Sequence, residues 1–162
     1  MEPLIPDLQG RYDAIEKIVK FGPQVISHNI ETVRRLSPEI RDVRASYDQS
    51  LRVLRTVKQI NPEIFTKSSL MLGLGEHLDE VAESMDDLKD TGVDIVTMGQ
   101  YLQPGLGYAP VTKYISPLTF ERYKTIALDK GFRSVSAGPF VRSSYRAASY
   151  SAVQQQFATR GE

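Results

Sequence analysis

Five stretches of this sequence gather side chains able to do chemistry. "SHNIET", Ser27 to Thr32, packs His28, Asn29 and Glu31 together. An amide beside a carboxylate offers paired donors and acceptors to ribose hydroxyls or to an amine, but taken alone the stretch is better read as a loop cap. "FTKSSLM", Phe65 to Met71, sets Lys67 and Ser68 in an otherwise apolar run. A lysine buried there needs a carboxylate, supplied either by a ligand or by the chain itself, and the residue types weigh the two evenly. "MGQYLQP", Met98 to Pro104, ends an apolar run on Gln100 and Tyr101, a pocket wall or a hydrogen-bonded loop. "GPFVRSSYRA", Gly138 to Ala147, places Arg142 beside Ser143 and Ser144. "MLGLGEHLDEV", Met71 to Val81, puts Gly73 and Gly75 where a strand would turn into a helix. Such a turn can aim backbone N–H groups at an anion. Position 78 is leucine rather than the third glycine of a dinucleotide fingerprint, so a tight turn is the better reading, with Glu76 and Asp79 as ordinary first-turn acids.

Composition closes several routes. The chain has no cysteine, which removes disulfides, a thiol nucleophile and any self-contained cysteine-ligated cluster. Neither His28 nor His77 has a second histidine at metal-ligand spacing. No Ser-His-Asp arrangement stands out, and Asp86 and Asp87 fall on a helix surface, so no catalytic residue is named. Lysine plus arginine and aspartate plus glutamate each number 20, which leaves no excess charge for nucleic acid or an anionic membrane. No apolar run approaches the roughly 20 residues of a membrane helix, and Met1-Glu2-Pro3 lacks the basic and apolar regions of a signal peptide. A soluble protein without an address is expected.

The elements that position these stretches alternate between short apolar runs and helical periods, the pattern of βα units. Leu4-Ile5-Pro6 reads as the end of a strand, and Arg11–Phe21 as a helix with Ile15, Ile18 and Val19 on one face, stopped by Gly22-Pro23. Val25–Ser27 reads as a strand, and a short helix follows the polar run after it. Tyr47–Ile60 is an amphipathic helix with Leu51, Leu54, Val57 and Ile60 in register, ending before Asn61-Pro62. Phe65–Leu72 is a strand, and Leu78–Thr91 a helix with Leu78, Val81, Met85 and Leu88 inward and a glycine after its end. Asp94–Met98 is a strand, Gln100–Pro110 a loop and Val111–Ile115 an extended stretch. Ser116-Pro117 introduces a helix that buries Phe120, Tyr123, Ile126 and Ala127. Ser134–Ala137 is a last strand, and Ser144–Thr159 a mobile helical tail. Four or so βα units fall short of an eight-stranded barrel, which takes about 250 residues. The chain reads as half of one, although a doubly wound open sheet shows the same alternation.

Taken together, "LIPDLQG", "SHNIETVRRL", "SYDQSLRVL", "TKSSLMLGLGE", "GQYLQP" and "GPFVRSSYRA" resemble lipoyl synthase, a radical S-adenosylmethionine enzyme, in that family's order from Leu4 to Ala147. The resemblance implies an α/β fold, a partial (βα) TIM-like radical-SAM barrel. Residues 1–147 would form its C-terminal half and 148–162 a tail. It implies an enzyme in which one [4Fe–4S] cluster cleaves S-adenosylmethionine and an auxiliary [4Fe–4S] cluster gives two sulfurs, at C6 and C8, to a protein-bound octanoyl chain. Ser144 would be the oxygen ligand of the auxiliary cluster, with Arg142 in support. A serine oxygen is harder than thiolate and would release an iron more readily as that cluster is dismantled. Asn29, Glu31, Lys67, Ser68 and Gln100 would face S-adenosylmethionine.

The family's two cysteine triplets lie upstream of the matched region, so the isolated chain would hold neither cluster and would be inactive. A truncated record, one half of a split enzyme and an inactive remnant are the explanations, in that order. Expected partners are an octanoylated lipoyl domain or glycine cleavage H protein, plus a cysteine-bearing half if the enzyme is split. The expected location is the cytoplasm, or the mitochondrion in a eukaryote. Two departures bear on the substrate mouth. Tyr108-Ala109-Pro110-Val111 stands where the family has histidine-leucine-proline-valine, and Ser69 stands where glycine is common. The rival readings are a non-catalytic half-barrel seeking closure through an open strand edge, and a nucleotide-binding domain resting on Gly73 and Gly75.

Overall fold

The computed structural model describes residues 1–144. The proposed tail, 148–162, and residues 145–147 of the terminal motif lie outside the described residues. Helix α1 (Tyr12–Lys20), β1 (Val25–Ser27), α2 (Ser37–Ile40), α3 (Tyr47–Ile60), β2 (Phe65–Leu72), α4 (Leu78–Asp90), β3 (Ile95–Gln100), α5 (Pro117–Asp129) and β4 (Ser134–Gly138) follow in order. The α/β expectation holds, with α3 and β2 beginning and ending where the sequence places them. Local chemistry fixes the helix starts. Ser46 Oγ accepts the Gln49 N–H at 3.1 Å to open α3, and Ser116 Oγ accepts the Thr119 N–H at 3.1 Å ahead of Pro117 in α5.

Among the described residues all four strands are parallel, in the order β1-β2-β3-β4. A doubly wound sheet reverses its order at a switch point, and this one does not. Because parallel crossovers are right-handed, a sheet that grows in one direction collects its helices on one face. The register shows that face. Ile26 pairs with Thr66, Ser68 with Val96 and Val135, and Leu70 with Met98 and Ala137. Leu70, Leu72, Val96 and Met98 form one core with Leu54 of α3, Val81, Met85 and Leu88 of α4, and Phe120 and Tyr123 of α5. Ile26 meets Ile15 and Val19 of α1 and Val53 and Val57 of α3 in a second core. Each of these fully buried side chains contributes roughly 1.5–3 kcal/mol.

The opposite face carries Ser27, Lys67, Ile95 and Ser134 in one row, Ser69, Thr97 and Ser136 in the next, and Met71, Gly99 and Gly138 nearest the carboxyl edge. Apart from Ile95 and Met71 these rows are polar or glycine. Ser69, Met71 and Gly99 of this face line a small cavity.

Two expectations change. Leu78 is 38% exposed, because as the first residue of α4 it precedes the stripe that Val81 begins. Leu4–Pro6 makes one parallel bridge, Leu4 with Ser27, and Ile5 N–H donates to the Ser27 carbonyl at 2.9 Å. Val111–Ile115, expected as an extended stretch, carries no regular element. It is pinned by Gln100, whose Nε2 donates to the Lys113 carbonyl at 3.1 Å and whose Oε1 accepts the Ile115 N–H at 2.8 Å. Among the described residues β4 pairs only with β3, which leaves its outer edge open as expected.

Candidate functional site

The carboxyl ends of all four strands meet the segments that carry the chemistry, where parallel α/β sheets place their ligands. His28, Asn29 and Glu31 leave β1 directly. Their backbone stays tied to β2, since His28 N–H donates to the Lys67 carbonyl at 3.0 Å and Glu31 N–H to the Ser69 carbonyl at 3.1 Å. Glu31 stands at φ 67°, a left-handed conformation that costs a β-carbon residue free energy and marks a position held by its surroundings. The Asn29 side chain acts on the Glu31 carboxyl, lowering its pKa against the effect of burial.

Two cavities share Asn29 and Glu31 as a common wall. The larger, of about 530 Å³, is lined by Ile5, Asp7, His28, Arg41 and Arg44 as well. The smaller, of about 120 Å³, lies toward Ser69, Gly99, Gln100, Arg142 and Ser143. The larger is within the usual range for small-ligand pockets, about 300–1,000 Å³.

Arg41 is the residue that sequence reasoning missed. Its Nη1 donates to Ser50 Oγ at 2.8 Å and to the Ser46 carbonyl at 3.3 Å. Ser50 Oγ in turn lies 2.9 Å from His28 Nε2, and His28 Nδ1 lies 2.9 Å from the Ile5 carbonyl. The carbonyl only accepts, so Nδ1 carries the proton, Nε2 accepts from Ser50, and Ser50 accepts from Arg41. Every partner is consistent with a neutral imidazole. Burial pushes the His28 pKa below its ordinary value, the Ile5 bond opposing, and burial also lowers that of Arg41. The only sequence signal for Arg41 was a cation inside the polar loop "IRDVR", whose partners α3 supplies.

Glu31 behaves oppositely. Burial raises its pKa, while Asn29 and the charge of Arg41 pull it back down. Folding therefore favours the protonated carboxyl. Its stabilising contribution is complete below the ordinary value of 4.5 and is lost as pH rises through the raised one. His28 contributes above 6.5, and that contribution is lost as pH falls toward its lowered value. Glu31→Gln is accordingly expected to stabilise the protein at pH 7 by about 1 kcal/mol, and to flatten the decline in melting temperature above pH 4.5. Thermal melts from pH 4 to 8 check this. A lower melting temperature at pH 7 would show that the carboxylate is welcome where it lies.

The remaining sequence-predicted residues divide. Gln100 lines the smaller cavity, with its amide committed to the loop after β3. Lys67, 1% exposed, faces the polar side of the sheet and donates to Glu2 Oε1 at 2.8 Å. The chain itself thus supplies a carboxylate partner. Ser68 points to the helix side, accepts the Ile30 N–H at 3.2 Å and lines neither cavity. Arg142 Nη1 donates to the Gln100 carbonyl at 3.2 Å, and Ser144 is exposed beyond it. Glu76 occupies the Gly73 turn, accepting the Gly73 and Leu74 N–H groups at 2.7 and 2.9 Å, so those donors are already engaged and the nucleotide-binding reading loses its support.

Fold and site together define a one-sided parallel α/β layer with a charged cavity at its carboxyl edge. Its sequence resembles lipoyl synthase along nearly all its length. It is 52% identical to the lipoyl synthase of Thermus thermophilus over 147 residues, covering 91% of this chain and 46% of that protein. It is 53% identical to that of Methanocella arvoryzae over 147 residues, 91% of this chain and 50% of the relative. It is 52% identical to the apicoplast lipoyl synthase of Toxoplasma gondii over 150 residues, 93% of this chain and 28% of the relative. The chain spans half or less of the length of these relatives, in keeping with correspondence to one half of such an enzyme. The apicoplast relative gives no support to a mitochondrial location. No family model matches the chain. Among solved structures, the HMG-CoA lyase of Brucella melitensis superposes with a TM-score of 0.47 at 16% identity, covering 85% of this chain and 55% of that one, a likeness too low to carry any inference. Among the described residues no helix is long and apolar enough to cross a membrane.

Proposed function

We propose that this chain is the C-terminal half of a lipoyl synthase of the radical S-adenosylmethionine type, arranged as part of a (βα) barrel whose interior is the polar sheet face. Catalysis belongs to the completed enzyme. The observation that carries the reading is the convergence of Asn29, Glu31 and Arg41 on one cavity at the carboxyl edge. A zwitterionic amino acid needs a cation for its carboxylate and a carboxylate with an amide for its ammonium. Arg41, aimed by Ser46 and Ser50, and the Glu31–Asn29 pair supply these. These residues fit the methionine end of S-adenosylmethionine. Binding a cation beside Glu31 releases whatever proton that carboxyl holds, so affinity rises as pH rises through its elevated pKa.

The iron–sulfur clusters are a different matter. This chain has no cysteine, and its described residues contain no group of three or more histidine, cysteine, aspartate or glutamate side chains that could hold a metal. The thiolate ligands come from outside this sequence, and no step of the reaction is assigned to residues here. When bound, the clusters would supply the electron that cleaves S-adenosylmethionine and the two sulfurs inserted at C6 and C8 of the octanoyl chain. From this chain Ser144 would contribute one oxygen ligand to the auxiliary cluster, with the Arg142 guanidinium held by the Gln100 carbonyl. The partners would be an octanoylated lipoyl domain or glycine cleavage H protein and the cysteine-bearing half, in whichever compartment holds them.

The test is anaerobic reconstitution of this chain with and without the cysteine-bearing half, with bound iron and lipoyl product as readouts. Product is expected only from the pair, and Ser144→Ala is expected to lower its yield by about 10-fold or more. A paired wild type that stays inactive would favour a non-catalytic half-barrel, and a fully active Ser144→Ala would remove Ser144 from the cluster.

A further inference from the structure

Gly99 lies in β3 at the carboxyl edge, in the row with Met71 and Gly138. Its φ is not in the left-handed region, so the backbone does not demand glycine there. What demands it is the chain that returns after β4. A β-carbon on Gly99 would overlap the carbonyl oxygen of Val141, and the next nearest atoms it would meet are the Val141 carbonyl carbon and Cα. Val141 is buried, its N–H donates to the Gly138 carbonyl at 3.1 Å, and Arg142 reaches across to the Gln100 carbonyl. Val141, Arg142 and Ser143 thereby form one wall of the smaller cavity, whose other side is Asn29 and Glu31.

We propose that Gly99 is a positioning residue: its missing β-carbon is the seat that lets residues 141–143 lie across the sheet edge and sets Ser144 beside the cavity of Asn29 and Glu31. The seat is a property of this chain, and its consequence for catalysis rests on the reading of Ser144 above. Glycine is the smallest residue a strand can offer, and it appears inside strands where another backbone approaches closely. Gly138, which accepts the Val141 N–H, makes the turn that brings this backbone to it.

The experiment compares Gly99→Ala with wild type in the full chain. Tryptic cleavage after Arg142 under native conditions is expected to speed up by about 10-fold or more, since local opening exposes the bond. Protection of the β2–β3 ladder amides from exchange is expected to stay as in wild type. Arg142→Met removes the second tie without touching the sheet, and is expected to raise exchange of the Val141 amide in the same direction but less. In the enzyme completed with its cysteine-bearing half, Gly99→Ala should reproduce the altered auxiliary-cluster spectrum of Ser144→Ala and leave the spectrum of the other cluster unchanged. Cleavage after Arg142 that matches wild type in Gly99→Ala, together with Val141 exchange that matches wild type in both variants, would overturn the seat. Faster cleavage with a wild-type auxiliary-cluster spectrum, while Ser144→Ala alters it, would overturn the positioning role. A wild-type spectrum in Ser144→Ala itself removes the object being positioned and overturns that role too, but traces the fault to the Ser144 reading.

Discussion

Asp94→Ala is expected to destabilise the protein by about 3–5 kcal/mol, the cost of breaking a buried charge network by removing one partner. The Asp94 carboxylate sits at the amino edge of the sheet, just before β3, and is 8% exposed. One oxygen accepts from Lys58 Nζ at 2.6 Å and from the Thr66 N–H at 2.9 Å, and the other from Arg133 Nε at 3.2 Å. Its own backbone continues the ladder, donating to the Thr66 carbonyl at 3.0 Å and accepting from Arg133 N–H at 2.8 Å. A single side chain therefore ties the end of α3 to the starts of β2, β3 and β4. Alanine strands the buried Thr66 N–H and removes the carboxylate from beside Lys58, an ammonium mostly covered by its neighbours. An amide in place of the acid would keep an acceptor for Thr66 but no charge, so Asp94→Asn should recover part of the loss. Urea denaturation measures it, with the midpoint falling and the slope unchanged. A loss under about 1 kcal/mol would mean that water replaces these bonds at no great cost. Ligand binding at the carboxyl edge should survive in whatever fraction stays folded, because the amino edge of such sheets serves stability and not chemistry.

How much of this was legible in the sequence depends on how local each cause is. The span of α3 could be read because Ser46, the three-residue spacing of its leucines and valines, and Asn61-Pro62 all lie within or beside it. The sheet order could not, since nothing local to β1 or β4 says which strand lies beside it, and the choice between a one-sided and a doubly wound sheet turned on that order alone. Strand alternation held more than was taken from it. Lys67 and Ser69 share the polar face, while Ser68 falls with Leu70 and Leu72 on the helix side, so a ligand role for both Lys67 and Ser68 asked one strand to face two ways. Arg41 stayed hidden for the opposite reason, because Ser50 is nine residues away on α3 and His28 is on β1's exit. The buried Lys67 was foreseen to need a carboxylate, but Glu2 is distant in sequence, and only the pairing of the N-terminal segment with β1 brings it there.

That pair carries the second large effect. Lys67→Met is expected to cost about 3–5 kcal/mol, because Glu2 is then left in the interior with Ser27 Oγ, at 3.0 Å, as its hydrogen-bond donor. Glu2 Oε2 is already buried without a hydrogen-bond partner among the described residues, so the carboxylate has little reserve to draw on. Glu2→Gln combined with Lys67→Met should return stability to within about 1 kcal/mol of wild type, since a desolvated ion pair contributes little net free energy over a neutral pair of similar volume. A double-mutant cycle by urea denaturation measures the coupling. If the two losses simply add, Lys67 and Glu2 are not acting on each other and the 2.8 Å contact is incidental. The charged pair lies on the polar face beside Ser69 and Thr97, below the cavity of Asn29 and Glu31. In the reconstitution that tests the proposed function, a stable double variant that gives little product would therefore mean the pair is kept for the electrostatics of that interior. A stable double variant with full product would mean the interior needs the volume of these side chains and not their charge.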